Sequence, residues 1–241
     1  MTEVNYLESL NPLQYESVCS TEGPNLIIAG AGTGKTKVLT TRVAHIIDNN
    51  LAFPSQILCV TFTNKAAREM SERVQKLVSQ NMEKMPWMGT FHSIGAKIIR
   101  NHAEVIGLKQ SFTILDKDDQ LSLIKQIIKA ENLDQSQFSP KLIQSKIDHW
   151  KNKALNPNDV KSESLDNLVD EKSLSIYKIY QARLFEINCL DFGDLLLQCI
   201  NLFKVPDIHK RYSNNFKYIH VDEYQDTNAA QYKWLKLLGS H

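Results

Sequence analysis

The chain has 241 residues, with 28 basic and 27 acidic side chains and a net charge of +1, so no global field draws it onto nucleic acid. That length suits one large or two small domains. No apolar run is long enough to span a bilayer and the polar N-terminus carries no signal-peptide pattern, which predicts a cytoplasmic protein with no membrane partner. Cys19, Cys59, Cys189 and Cys199 form no C-x-x-C pair and have no histidine at zinc-finger spacing; Cys59, inside an apolar run, reads as a buried thiol.

In chain order, the first signal is Gln14, which follows Leu10-Asn11-Pro12-Leu13. A carboxamide pairs with adenine N6 and N7, whereas guanine presents an oxygen that mismatches it. Asn25 to Gly30 then predicts a short buried strand, bounded by Gly23-Pro24. It runs into Ala29-Gly30-Ala31-Gly32-Thr33-Gly34-Lys35-Thr36, and apolar residues at Val38, Leu39, Val43, Ile46 and Ile47 predict a helix to Asp48, ended by Asn49-Asn50. Strand, glycine-rich turn and helix make a phosphate-binding P-loop. Its backbone N–H groups approach phosphate oxygens, the lysine neutralises their charge, and the threonine hydroxyl ligates magnesium. Ala29 stands where the strict G-x-x-x-x-G-K-[ST] pattern has its first glycine, while Gly30, Gly32 and Gly34 keep the turn freedom.

A second strand is predicted over Ile57 to Phe62, leading through Thr63-Asn64 into the helix formers Lys65 to Met70. The β-α-β order implies a parallel sheet flanked by helices. Between Thr61 and Lys109 eight Lys/Arg face four acids, a locally basic stretch. From Asp116 to Phe203 the pattern is helical. Leu121, Ile124, Ile127 and Ile128 mark one segment; Leu142, Ile143 and Ile147 another; Leu174, Tyr177, Tyr180, Leu184 and Ile187 a third. Asn156-Pro157-Asn158 predicts a loop between two of them. The last predicted strand, Phe216 to Val221, ends in Asp222-Glu223, and strand C-termini are where α/β sheets place ligand chemistry. Asp222 suits a magnesium ligand and Glu223 the activation of water for γ-phosphate hydrolysis.

Six ordered segments together resemble superfamily 1 DNA helicases of the UvrD/Rep/PcrA type. Leu10-Asn11-Pro12-x-Gln14 resembles the Q motif, Ala29 to Thr36 motif I, Val60 to Ala67 motif Ia, and Gly89-Thr90-Phe91-His92-Ser93 motif Ib. Leu190-Asp191-Phe192-Gly193-Asp194-Leu195 is similar to the Asp-Phe-Asp-Asp-Leu segment, with Gly193 in place of an acid, and Val221 to Asn228 is similar to motif II. The resemblance implies an α/β fold of the RecA-like P-loop NTPase type: a parallel sheet flanked by helices, with an all-helical inserted subdomain. On that basis residues 1–104 and 196–241 are expected to form the ATP-binding domain, incomplete at its C-terminus, and 105–195 the insertion. It implies an ATP- and Mg2+-dependent motor moving 3′ to 5′ on single-stranded DNA, active on 3′-tailed duplexes in repair or replication, with repair proteins as partners.

Carried onto this sequence, the resemblance sets Gln14 on adenine, Lys35 and Thr36 on phosphates and magnesium, and Asp222 and Glu223 at hydrolysis. It sets Gln225 near the γ-phosphate, and Phe62, Thr63, Asn64, Thr90, Phe91, His92 and Phe192 on DNA. Aromatic rings stack any base, while hydroxyl and amide groups hold phosphates without reading sequence. The resemblance also implies that motifs III to VI, with a second RecA-like domain and its arginine fingers, belong to a longer protein. This chain alone is then expected to turn ATP over poorly. A helicase–nuclease subunit shares these N-terminal motifs. A P-loop NTPase or binding module unconnected with DNA is the reading from a different class.

Overall fold

The computed structural model describes residues 6–30, 32–78, 85–161 and 168–239. Asn11 opens helix α1 (Pro12–Cys19) with a reciprocal cap: its carboxamide accepts from the Gln14 N–H, and the Gln14 side chain accepts from the Asn11 N–H. Helix α2 (Lys35–Asp48) buries Val38, Val43, Ala44 and Ile46, and Asn50 at φ 56° turns the chain away after it. Strand β1 (Ile57–Thr61) is buried on both faces, as a central parallel strand should be. Helix α3 (Asn64–Leu77) starts at Thr63, whose hydroxyl accepts from the Ala66 N–H. Strand β2 (Met88–Thr90) feeds helix α4 (Phe91–Asn101).

Strand β3 (Thr113–Leu115) precedes helices α5 (Lys117–Ala130), α6 (Pro140–Asn152) and α7 (Leu168–Glu186). Then come strand β4 (Cys189–Asp191) and helices α8 (Phe192–Leu202) and α9 (Pro206–Asn215). Strand β5 (Tyr218–Val221) and helix α10 (Ala229–Leu238) complete the described chain.

The larger sheet has the order β2-β1-β5, all parallel, with Cys59 opposite both Met88 and His220. Parallel neighbours require crossovers, and α3 supplies the one between β1 and β2. The chain divides into two compact units. The first, Met1–Ile94 with Tyr212–Asp226, holds this sheet and a core of Val43, Ile46, Ile57, Cys59, Met70 and Val74. The second, Gly95–Arg211 with Thr227–His241, centres on Ile124, Ile127, Ile143, Ile147, Tyr177 and Tyr180. These limits differ from the expected ones at 104/105 and 195/196. Within the second unit Gly95 lies so close to α8 that a Cβ there would sit 2.5 Å from the Leu195 carbonyl oxygen, so most of α4 travels with α8.

Two local expectations change. The stretch expected to be all helical contains α5, α6 and α7 but also a parallel β3–β4 ladder, Thr113 to Cys189 through Leu115 to Asp191. Three-residue strands are too short to show a period in sequence. The predicted strand over Asn25 to Gly30 is irregular chain without ladder bonds, and Leu26 and Ile28 are 73% and 87% exposed. A β-branched run becomes a strand only beside a neighbour, and among the described residues none pairs with it.

Candidate functional site

The P-loop reaches the front of α2 through glycines in the left-handed region, Gly32 at φ 76° and Gly34 at φ 92°. Side chains rarely adopt that backbone, so glycine is what lets the chain turn directly into the helix. Gly34 is the N-cap of α2 and gives no side-chain cap, and the first turn carries no acid. The leading N–H groups of a 14-residue helix are thus left without a capping side chain and carry the positive end of its dipole. The Lys35 ammonium lies against the same loop, donating to the carbonyls of Ala29 at 3.2 Å and Gly30 at 3.3 Å. Thr33 closes the turn through its hydroxyl, which donates to Gly30 O at 2.7 Å. Ala31 lies outside the described residues.

Gln14 sits beside this loop, but both ends of its amide are engaged. Nε2 donates to the Thr33 carbonyl at 3.0 Å while Oε1 accepts from Asn11. Nε2 also stands 3.0 Å from where a Cβ on Gly34 would be, so glycine there admits the contact. To read adenine, the amide has to exchange these bonds for those of the base.

Asp222 follows β5 and is buried, its N–H donating to Val60 O at 3.0 Å. The Thr61 hydroxyl, at the end of β1, donates to Asp222 Oδ2 at 3.4 Å. Burial and the Glu223 carboxylate push the Asp222 carboxyl above the usual range, while the Thr61 hydrogen bond and the Lys35 ammonium pull it back. Lys35 and Asp222, far apart in sequence, lie in the same compact unit. Glu223 holds a left-handed φ of 49°, a costly conformation for a residue with a Cβ. The Gln225 amide donates to Glu223 Oε2, and Asp226 N–H to the Glu223 carbonyl at 3.0 Å.

This donor set fits a triphosphate with magnesium. It combines an uncapped helix start, a lysine over the loop, the Thr36 hydroxyl on α2, and one carboxylate at a strand end. Among the described residues no cluster of three or more His, Cys, Asp or Glu could hold a metal by itself.

The residues expected on DNA fall into different environments. Phe62 is half-buried, and Thr63 and Asn64 are exposed at the start of α3. Phe91 is corrected: at 1% exposure its ring is a core group, 5.5 Å from the Phe62 ring, and offers no face to a base. An aromatic at the first position of an amphipathic helix faces inward here, which the motif alone does not reveal. Thr90 is buried too, its hydroxyl accepting from the Ser93 N–H. His92 is half-buried, and burial pushes its imidazole below the ordinary value. Phe192, in the second unit, is 50% exposed at the first position of α8.

Sequence reasoning missed three groups. Thr61 supports Asp222, and strand position alone does not signal it. His220 is buried, pushed down to about 3 by burial, with no hydrogen-bond partner for Nε2 among the described residues. Lys151, in the second unit, is buried between Asp191 and Asp194; its lysine looks like surface on an amphipathic helix until α8 is in place.

A family model described as the UvrD/REP helicase N-terminal domain matches residues 10–241. The ATP-dependent DNA helicase PcrA of Staphylococcus aureus (strain Mu50) is 48% identical over 235 residues, which is 97% of this chain and 32% of that protein. PcrA of Staphylococcus epidermidis (strain ATCC 12228) is 46% identical over the same shares. The chain therefore spans about a third of the length of these curated relatives. Phosphate loop, strand-end acids and a family match across nearly the whole sequence agree: the chain belongs to the UvrD/REP helicase family, in the region of its N-terminal domain.

Proposed function

We propose that this chain is the nucleotide-binding half of an ATP-driven motor that translocates 3′ to 5′ on single-stranded DNA and opens 3′-tailed duplexes in the cytoplasm, in repair or replication. The observation that supports the reading is the glycine-led start of α2 at Lys35, whose ammonium lies against the Ala29 and Gly30 carbonyls, in the same compact unit as the strand-end carboxylate Asp222. Lys35 and the first N–H groups of α2 hold the phosphates, and Gln14 takes adenine. Thr36 and Asp222 hold Mg2+, which when bound neutralises charge developing on the phosphate oxygens. Glu223 takes the proton of the attacking water as the γ-phosphoryl bond breaks, and ADP and phosphate leave. Gln225, already bonded to Glu223, senses the γ-phosphate.

For DNA, within the first unit Phe62 stacks a base, Thr63 and Asn64 hold phosphates, and Thr90 and His92 support them; within the second unit, Phe192 separately offers its ring to a base. Repair proteins are the partners this activity calls for. A second RecA-like domain supplies the remaining charge, since an arginine finger is worth about 10³–10⁵ in rate. ATP turnover by the full-length protein, measured with and without oligo(dT), tests the reading. Turnover should rise with DNA and vanish in Lys35→Ala. Turnover indifferent to DNA would assign the site to an NTPase of another kind.

A further inference from the structure

Lys151 on α6 carries the only side-chain ammonium among the described residues that is 0% exposed and ion-paired to two carboxylates. Its Nζ donates to Asp191 Oδ2 at 2.7 Å and to Asp194 Oδ2 at 2.9 Å. These two acids bracket the first turn of α8, and Asp191 is its N-cap, accepting from the Asp194 N–H at 2.9 Å. Tyr180 OH donates to Asp191 Oδ2 at 2.8 Å, Gln120 Nε2 to the same oxygen at 3.3 Å, and Gln181 Nε2 to both Asp194 oxygens at 3.1 Å. Against the penalty of burial, the Lys151 ammonium, the Asp194 N–H and the Tyr180 hydroxyl hold Asp191 below the usual carboxylate range, while burial and the Asp191 carboxylate lift Asp194 above it.

Gly193 completes the arrangement. A Cβ there would lie 2.8 Å from Lys151 Cδ and 2.9 Å from Lys151 Cβ, so any side chain displaces the lysine stem. The glycine standing where the family's segment has an acid is the residue that lets this stem through. Buried ion pairs are weak contributors to stability, and apolar residues of similar volume often do as well. A network this closely fitted therefore points to a geometric demand. Between Asp191 and Gly193, at the first position of α8, Phe192 is 50% exposed.

We propose that Lys151 is a positioning residue for single-strand binding: clamped between Asp191 and Asp194 and admitted by Gly193, it fixes the turn that presents the Phe192 ring to a base. The proposal rests on the reading of Phe192 as a DNA contact. Its test is a double-mutant cycle in the 241-residue chain, read by fluorescence anisotropy of a labelled oligo(dT), with thermal melting recorded for each variant.

Phe192→Ala should weaken affinity by about five-fold or more, the loss of one base–aromatic stack. Lys151→Met should weaken it comparably in the parent chain and add less than about two-fold on top of Phe192→Ala. Lys151→Met may be replaced by a milder variant if it fails to fold: Gly193→Ala keeps every charge and shifts only the lysine stem, and it should show the same dependence on Phe192. Equal losses with and without Phe192, or no loss in either variant while Phe192→Ala binds weakly, overturn the positioning role. Unchanged affinity in Phe192→Ala instead removes the ring from the DNA surface, and the positioning role with it.

Discussion

Glu223 concentrates the chemistry at the residue scale. A left-handed φ of 49° in a residue with a Cβ costs on the order of 1–3 kcal/mol and persists only where surroundings hold it. Here the Gln225 amide and the Asp226 N–H both bind Glu223, so the strain buys a fixed carboxylate direction. Glu223→Gln in the full-length protein should keep nucleotide binding, measured by filter retention of labelled ATP, and lower DNA-stimulated turnover by about 10²–10⁴-fold. Turnover near the parent rate would take Glu223 out of the proton transfer. Lys35 and Thr36 stand out in sequence because phosphate chemistry asks for those types directly after a glycine-rich turn, and the structure does start α2 at Lys35. Two facts about other residues were not legible. The Gln14 amide also donates to the Thr33 carbonyl, and Phe91 turns its ring inward beside Phe62, and Thr33 and Phe62 are both distant in sequence from the residues they meet.

At the scale of elements, caps and periodicity did most of the work. Helix α2 begins at Lys35 and ends at Asp48 where glycine and the Asn49-Asn50 pair predict. Helix α3 shows how one side chain serves two ends. The Thr63 hydroxyl caps the helix by accepting from Ala66 N–H, and it lies exposed where a DNA phosphate is proposed. Thr63→Ala should lower stability by about 1 kcal/mol in urea unfolding and weaken oligo(dT) binding as well. Thr63→Asp should restore the cap and the stability, yet bind oligo(dT) more weakly still, because a carboxylate repels phosphate. Recovery of DNA affinity in Thr63→Asp would reduce Thr63 to a cap alone. The β3–β4 ladder and the Lys151 network escaped the sequence for a shared reason. Both join residues that lie far apart in sequence, Thr113 to Leu115 with Cys189 to Asp191 and Lys151 with Asp191 and Asp194.

At the scale of the whole molecule, two cores stand out among the described residues, one under the β2-β1-β5 sheet and one among α5, α6 and α7. Their existence follows from hydrophobic patterning, while their limits follow from close approaches such as Gly95 to Leu195, which no pattern encodes. The lead-in to the P-loop stands apart from both. Leu26-Ile27-Ile28 is apolar, irregular and uncommitted to any ladder, with Ile28 87% exposed. Backbone groups in that condition recruit whatever strand arrives first, including the same run in another copy. Concentrated preparations of the 241-residue chain should accordingly scatter light more with time, and Ile28→Lys should suppress the growth. Identical scattering curves for the two would show that stickiness arises elsewhere. The segment that delivers the phosphate loop is thereby also the chain's chief solubility hazard.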